Sequence, residues 1–153
     1  MWHDVVYEPG ELKVVAYDEN GRPVAEKVTR TAERPHHIEI VSGLAFTGDD
    51  RMPSLKADGK DLAYLTVKVV DRQGNLCPTY SGLLEFQASG SASYRASANG
   101  DPTCLDIFHE PRMHAFGGML TVILQAGDTP GKAVLKVKGR GVREGVAELP
   151  VTP

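Results

Sequence analysis

Leu65-Thr66-Val67-Lys68-Val69, running on through Val70-Asp71 into Gln73-Gly74-Asn75, decides the fold class. Apolar and polar residues alternate through the first five places, the period of a strand that buries one face. Gln73-Gly74-Asn75 then ends the run with turn formers. The same period recurs outward from this stretch. Leu84, Phe86 and Ala88 alternate with Glu85 and Gln87, and Leu120, Val122 and Leu124 repeat the spacing. Ala133, Leu135 and Val137 alternate with Lys136 and Lys138, while Ile38 and Ile40 open the series and Ala147, Leu149 and Val151 close it. Turn sequences lie between the runs: Asp58-Gly59, Asn99-Gly100-Asp101-Pro102, Asp128-Thr129-Pro130-Gly131 and Gly139-Arg140-Gly141. No window holds an apolar stripe at helical spacing without Gly or Pro inside it. About seven short strands over roughly 115 residues predict an all-β sandwich. Its expected core is Leu65, Val67, Val69, Leu84, Phe86, Leu120, Val122, Leu124, Leu135 and Val137.

The N-terminal part reads differently. Leu12 to Tyr17, the turn Asp18-Glu19-Asn20-Gly21-Arg22, and Pro23 to Thr31 predict a β-hairpin, with Asn20-Gly21 supplying the positive φ angles of a tight turn. Leu12, Val14 and Ala16 make one apolar stripe, and Val24 and Val28 another on the returning strand. A lone hairpin cannot bury enough surface to fold by itself. The expected division is therefore residues 1–32 as closing strands of a preceding domain, 33–35 as linker and 36–153 as sandwich. Without its own domain the hairpin is expected to dock on residues 36–153 or to mediate self-association.

Composition narrows the function classes. A length of 153 residues allows one good core, or one core plus a fragment. The net charge of -3 gives no electrostatic reason to expect nucleic acid or an anionic membrane as partner. No run reaches the ~18 apolar residues of a membrane span. Met1-Trp2-His3-Asp4 lacks the basic start of a signal peptide, which in a fragment says nothing of the parent. Cys77 and Cys104 fall in turn-like sequence outside any metal-ligand spacing, so two free thiols are expected and no cofactor is implied.

Several residues invite sharper functions. His36-His37 are expected on opposite faces of a strand, unable to share one ion. His109 and His114, near Glu110 and Asp106, lack a third partner and read as exposed loop histidines. Asn99, Gly100, Asp101 and Pro102 read as a structural turn: Gly supplies free φ, the Asn and Asp side chains bond nearby amides, and one carboxylate is too few for calcium. Gly117-Gly118 precede no Lys-Ser/Thr and form no phosphate loop. Tyr64, Tyr80 and Tyr94, on polar faces or in turns, are the candidates for stacking a sugar ring, against the plainer reading of edge packing or surface tyrosines. Ser, His and Asp are all present, but no Gly-x-Ser-x-Gly elbow is.

Two stretches carry family character. Ala57-Asp58-Gly59 through Val69-Val70-Asp71, with Gln73-Gly74-Asn75 and Pro78, resembles bacterial Ig-like domains of the invasin and intimin type. Val6-Tyr7-Glu8-Pro9-Gly10-Glu11-Leu12-Lys13-Val14-Val15-Ala16-Tyr17-Asp18 resembles the closing strands of the Ig-like domain behind the catalytic barrel of family 2 glycoside hydrolases. That likeness continues through Val24-Ala25-Glu26 and Arg30-Thr31-Ala32. It resumes at Asn99-Gly100-Asp101-Pro102-Thr103, Phe108, Arg112 to Gly117 with Ala115-Phe116, and Leu120 to Gln125. The chain departs from the family at Cys104, His114 and Gly117-Gly118. The resemblance implies an immunoglobulin-like β-sandwich after a hairpin fragment of another Ig-like domain. It also implies a β-galactosidase-type parent that retains configuration and is periplasmic or secreted. The two catalytic glutamates of such an enzyme belong to a barrel this chain does not contain, so the chain itself is expected to be non-catalytic. Its expected partners are the catalytic barrel and other domains of the parent, with carbohydrate as a further ligand. A carbohydrate-binding module and an adhesin-type surface repeat are the alternatives.

Overall fold

The computed structural model describes residues 6–43 and 52–153. Strand β1 (Glu11–Tyr17) pairs antiparallel with β2 (Pro23–Arg30), and the two form a sheet of their own. In the turn between them Gly21 takes a φ of +74°, but Asn20 stays in the ordinary negative region. The Asp18 carboxylate closes the turn instead, accepting the amides of Asn20 at 2.9 Å and Arg22 at 2.8 Å. The expectation that both residues of the Asn-Gly pair would turn through positive φ is thereby corrected.

Register decides which hairpin residues share a face. Leu12, Val14 and Ala16 stand opposite Thr29, Lys27 and Ala25, while Lys13 and Val15 stand opposite Val28 and Glu26. The two apolar stripes therefore lie on opposite faces. The face of Val15 and Val28 also carries the ion pairs Lys13–Glu26 at 2.6 Å and Arg30–Glu11 at 2.7 Å. Every residue of β1 and β2 is exposed except Val15 and Val28, which are half-buried. The faces of the hairpin strands are therefore open to solvent, and only their base, at Glu11 and Arg30, borders Gln73 and Asn75 of the sandwich.

The sandwich is built from β3 (His37–Ser42), β4 (Leu55–Lys56), β5 (Leu62–Val70), β6 (Leu83–Gly90), β7 (Ala92–Ala98), β8 (Arg112–His114), β9 (Met119–Ala126), β10 (Gly131–Gly139) and β11 (Val142–Thr152). One layer runs β7-β9-β5-β3 and the other β11-β10-β6-β8. Pairing is antiparallel within both layers. β3 meets β11 in parallel through His37 and Arg143, and β4 adds a second parallel pairing to β11. The hydrogen-bonded ladder thus continues around one side, as expected of an Ig-like sandwich whose first strand is shared between sheets.

All ten residues expected in the core are buried, joined by Ile38, Leu55, Met113, Leu149 and Val151 among others. Among the described residues the sandwich has nine strands, where the sequence suggested about seven. β4 and β8 are too short to display a period. β7 buries Ala92 and Ser97, which carry almost no hydrophobic signal. The pairings His37–Val70, Met119–Lys68, Leu84–Gly139 and Leu83–His114 bring the linker and the segments 71–82, 115–118 and 139–141 to one end. Segment 99–111 starts at the same end, where Ala98 of β7 pairs with Thr121.

Candidate functional site at the linker end

Asp71 organises this end. It follows the last residue of β5, is fully buried, and its carboxylate takes four N–H donors. Oδ1 accepts the amides of Gln73 at 2.9 Å and Asn75 at 2.8 Å; Oδ2 accepts the Asn75 side-chain amide at 3.0 Å and the Glu33 amide at 2.9 Å. Burial alone would raise its pKa. The Asn75 side chain and the amides of Glu33, Asn75 and Gln73 outweigh that and hold the group at about 2. The spacing Asp71-x-x-Gly74-Asn75 lets one carboxylate close its own turn and still reach the linker. In the sequence alone Asp71 shows only as the end of a strand.

Three further contacts fix the linker. The His36 amide donates to the Val70 carbonyl at 2.8 Å, the Arg143 amide donates to the His36 carbonyl at 2.9 Å, and the buried Cys77 thiol points to the Glu33 carbonyl at 3.7 Å. His36 precedes β3, so strand alternation does not govern it. Its Nδ1 lies 3.1 Å from Nδ1 of His37 and the rings meet edge to face. The expectation that the two rings point apart is corrected. Among the described residues no group of three or more His, Cys, Asp or Glu side chains is arranged to hold a metal ion.

Next to this joint the segment 115–118 packs on 77–82. Gly118 sits at φ +76°, donates to the Tyr80 carbonyl at 3.0 Å and accepts the Val69 amide at 2.8 Å. A Cβ there would run into the Cys77 carbonyl, so the close backbone approach requires glycine. The Tyr80 hydroxyl is buried with no hydrogen-bond partner among the described residues, and burial raises its pKa. Tyr64 stands on the outward face of β5, 46% exposed. Tyr94 stacks on Phe86 with centroids 5.7 Å apart. Its hydroxyl meets Ser97 Oγ at 2.9 Å and donates towards the carbonyls of Phe108 at 3.0 Å and Glu110 at 2.6 Å.

In the segment 99–111, Gly100 has a φ of +78°. Asn99 Oδ1 accepts the Asp101 amide, and Asp101 Oδ1 accepts both the amide and the hydroxyl of Thr103, just beyond Pro102. Asn99 Nδ2 donates to the His114 carbonyl at 2.9 Å. His114 lies on β8 rather than in a loop, and its Nδ1 is 2.9 Å from Asp106 Oδ2. The His114 amide chiefly lowers the Asp106 pKa, against burial and with the imidazole's help. Leu105, Phe108 and Phe116 are exposed nearby. These side chains hold loops to one another; the site is a joint, built to fix how chain segments meet.

A family model described as Glycoside hydrolase family 2 C-terminal domain 5 matches residues 49–148. A second, Domain of unknown function (DUF4982), matches residues 1–25. The chain is 37% identical over 145 residues to the β-galactosidase BoGH2A of Bacteroides ovatus, taking in 95% of this chain and 16% of that protein. It is 32% identical over 96 residues to a β-glucuronidase of Formosa agariphila, covering 63% of this chain and 9% of that protein. It thus spans less than a fifth of each of these curated relatives. A solved β-glycosidase from Bacteroides vulgatus matches with a TM-score of 0.84 at 28% identity, over 96% of this chain and 18% of that one. The D00-D0 domain of intimin shares the fold, with a TM-score of 0.52 at 18% identity over 95% of this chain and 66% of that one. Matched over residues 49–148 on an all-β sandwich, the chain belongs to the glycoside hydrolase family 2 C-terminal domain 5 family.

Proposed function

We propose that the chain is a non-catalytic, architectural part of a retaining β-glycosidase of the β-galactosidase type, holding its place behind the catalytic barrel during carbohydrate breakdown. The observation that carries this reading is the Asp71 joint, where a buried carboxylate is committed to fixing the linker rather than to chemistry. The small share of each curated relative that the chain spans supports it, as does the name of the 37% identical relative. Residues 1–32 are then the closing strands of a preceding domain, 33–35 the linker and 36–153 the sandwich. A family model confined to residues 1–25 and a hairpin sheet separate from the sandwich support that division. The partners are the barrel and neighbouring domains of the parent, which is periplasmic or secreted.

The test is an assay of the 153-residue chain on nitrophenyl β-galactoside and nitrophenyl β-glucuronide. No turnover is expected. Turnover that disappears when a carboxylate of this chain is substituted would overturn the reading. The exposed ring of Tyr64 on β5 favours a second reading, a carbohydrate-binding module, which binding to a glycan array would support. The adhesin-type reading has only the shared fold behind it.

A further inference from the structure

A cleft of about 620 Å³ opens beside the joint, lined by Glu33, Arg34, Pro35, His36 and Arg72. Arg143 stands close by, its amide bonded to the His36 carbonyl and its charge acting on the His36 ring. None of the three guanidiniums makes an ion pair or hydrogen bond among the described residues. Elsewhere in the chain Arg30 and Arg112 do have carboxylate partners. Three guanidiniums without a bonded carboxylate, Arg34 and Arg72 lining the cleft and Arg143 beside it, are unexpected in a chain of net charge -3. Asp71 still carries its negative charge, but its oxygens are filled by four N–H donors, and Glu39 faces Gly74 and His37, so among the described residues no carboxylate is bonded to any of the three.

We propose that this cleft binds an oxyanion carried by a saccharide, an acidic sugar whose carboxylate is taken by the Arg72 and Arg143 guanidiniums. Guanidinium suits the role because it stays charged and presents a planar fork of donors to a carboxylate. The cleft volume lies in the range of small-molecule sites. His36 completes the lining. Burial, then the charges of Arg72, His37 and Arg143, lower its pKa against the opposing charge of Asp71, which favours the uncharged ring that can offer a nitrogen to a sugar hydroxyl. The saccharide half of the inference rests on the glycosidase reading; the oxyanion half rests on the arginines alone.

Titration of the ¹⁵N-labelled 153-residue chain at constant ionic strength separates the two halves. Sodium glucuronate is expected to move the amide signals of residues 33, 34, 36, 72 and 143 saturably, while glucose leaves them still. Arg72→Ala and Arg143→Ala should each weaken glucuronate binding about tenfold, with the rest of the spectrum unchanged. Sodium sulfate is the competing arm. Glucuronate that sulfate fails to displace assigns a sugar acid, and displacement by sulfate assigns the oxyanion itself as what the cleft reads. Absence of saturable shifts with either anion overturns the proposal. So does equal binding of glucose, or binding that survives both arginine substitutions. A chain that binds nothing here leaves the turnover assay, and the architectural reading, untouched.

Discussion

The Glu33 amide donates to the Asp71 carboxylate at 2.9 Å across 38 residues of sequence. One buried acid thereby serves two structures at once: its own turn through Gln73 and Asn75, and the linker that leads from the hairpin into β3. Asp71→Ala is expected to free the linker while sparing the core. Amide exchange should quicken about tenfold or more at Glu33, Gln73 and Asn75, and stay slow at Val67 and Leu135. Unchanged exchange at Glu33 would remove Asp71 from the joint.

The same contact sets a pH window. The Asp71 carboxyl titrates at about 2 in the fold, against 3.8 as its ordinary value. A depressed carboxylate pKa contributes stability that is complete above the ordinary value and is lost as pH falls through the folded one. Protection of the Glu33 amide should therefore survive at pH 4 and fail near pH 2, and Asp71→Asn should abolish that acid transition. Hydrogen exchange followed across the acid range checks both. Loss of protection around pH 6 would assign the joint to another group.

Phe86 anchors the inner face of β6, 6% exposed and stacked on Tyr94. Truncation to Ala should cost about 3–5 kcal/mol in denaturant unfolding. A loss below about 1 kcal/mol would place the ring outside the well-packed core.

The two inner tyrosines should behave oppositely when the hydroxyl is removed. Tyr94→Phe loses contacts to Ser97, Phe108 and Glu110 and should cost about 1–2 kcal/mol. Tyr80→Phe removes a buried hydroxyl with no partner among the described residues and should be neutral or stabilising by up to about 1 kcal/mol. Thermal or chemical melts of the two variants decide it; equal losses would show that Tyr80 is partnered after all.

What could be read from sequence follows from how each feature is encoded. Strands that bury one face write a period of two, so Leu65-Val67-Val69 and Leu120-Val122-Leu124 disclosed both the fold class and the core. β7 did not, because it buries Ala92 and Ser97 and fills the inner space through Tyr94 instead. His36 escapes the rule because alternation holds only inside a strand, and the strand begins one residue later. The joint was hidden for a different reason. Its decisive contacts link residues 33 and 71 and residues 36 and 143, pairings that only the fold brings together. The Asp-x-x-Gly-Asn spacing announced a turn, but nothing local announced that its carboxylate had a bond to spare.

The hairpin's two faces yield the remaining prediction. The face of Lys13, Val15, Glu26 and Val28 satisfies its charges internally through two ion pairs and suits contact with water. The opposite face presents Leu12 and Val14, 70% and 62% exposed, with Ala16 and Ala25 in register beside them. In a preceding domain this would be the covered face. In the isolated chain it has no cover from the sandwich, and both strands keep an open edge, a combination that favours pairing with a second copy. The 153-residue chain is therefore expected to self-associate reversibly in sedimentation experiments. Leu12→Lys or Val14→Lys should suppress the association, whereas Val28→Lys, on the other face, should not. Deleting residues 1–32 should give a folded monomer, because among the described residues the buried cluster runs from Ile38 to Val151. A deletion that unfolds residues 36–153, or a dimer of unchanged affinity that outlives it, would mean the hairpin is neither separable nor the interface.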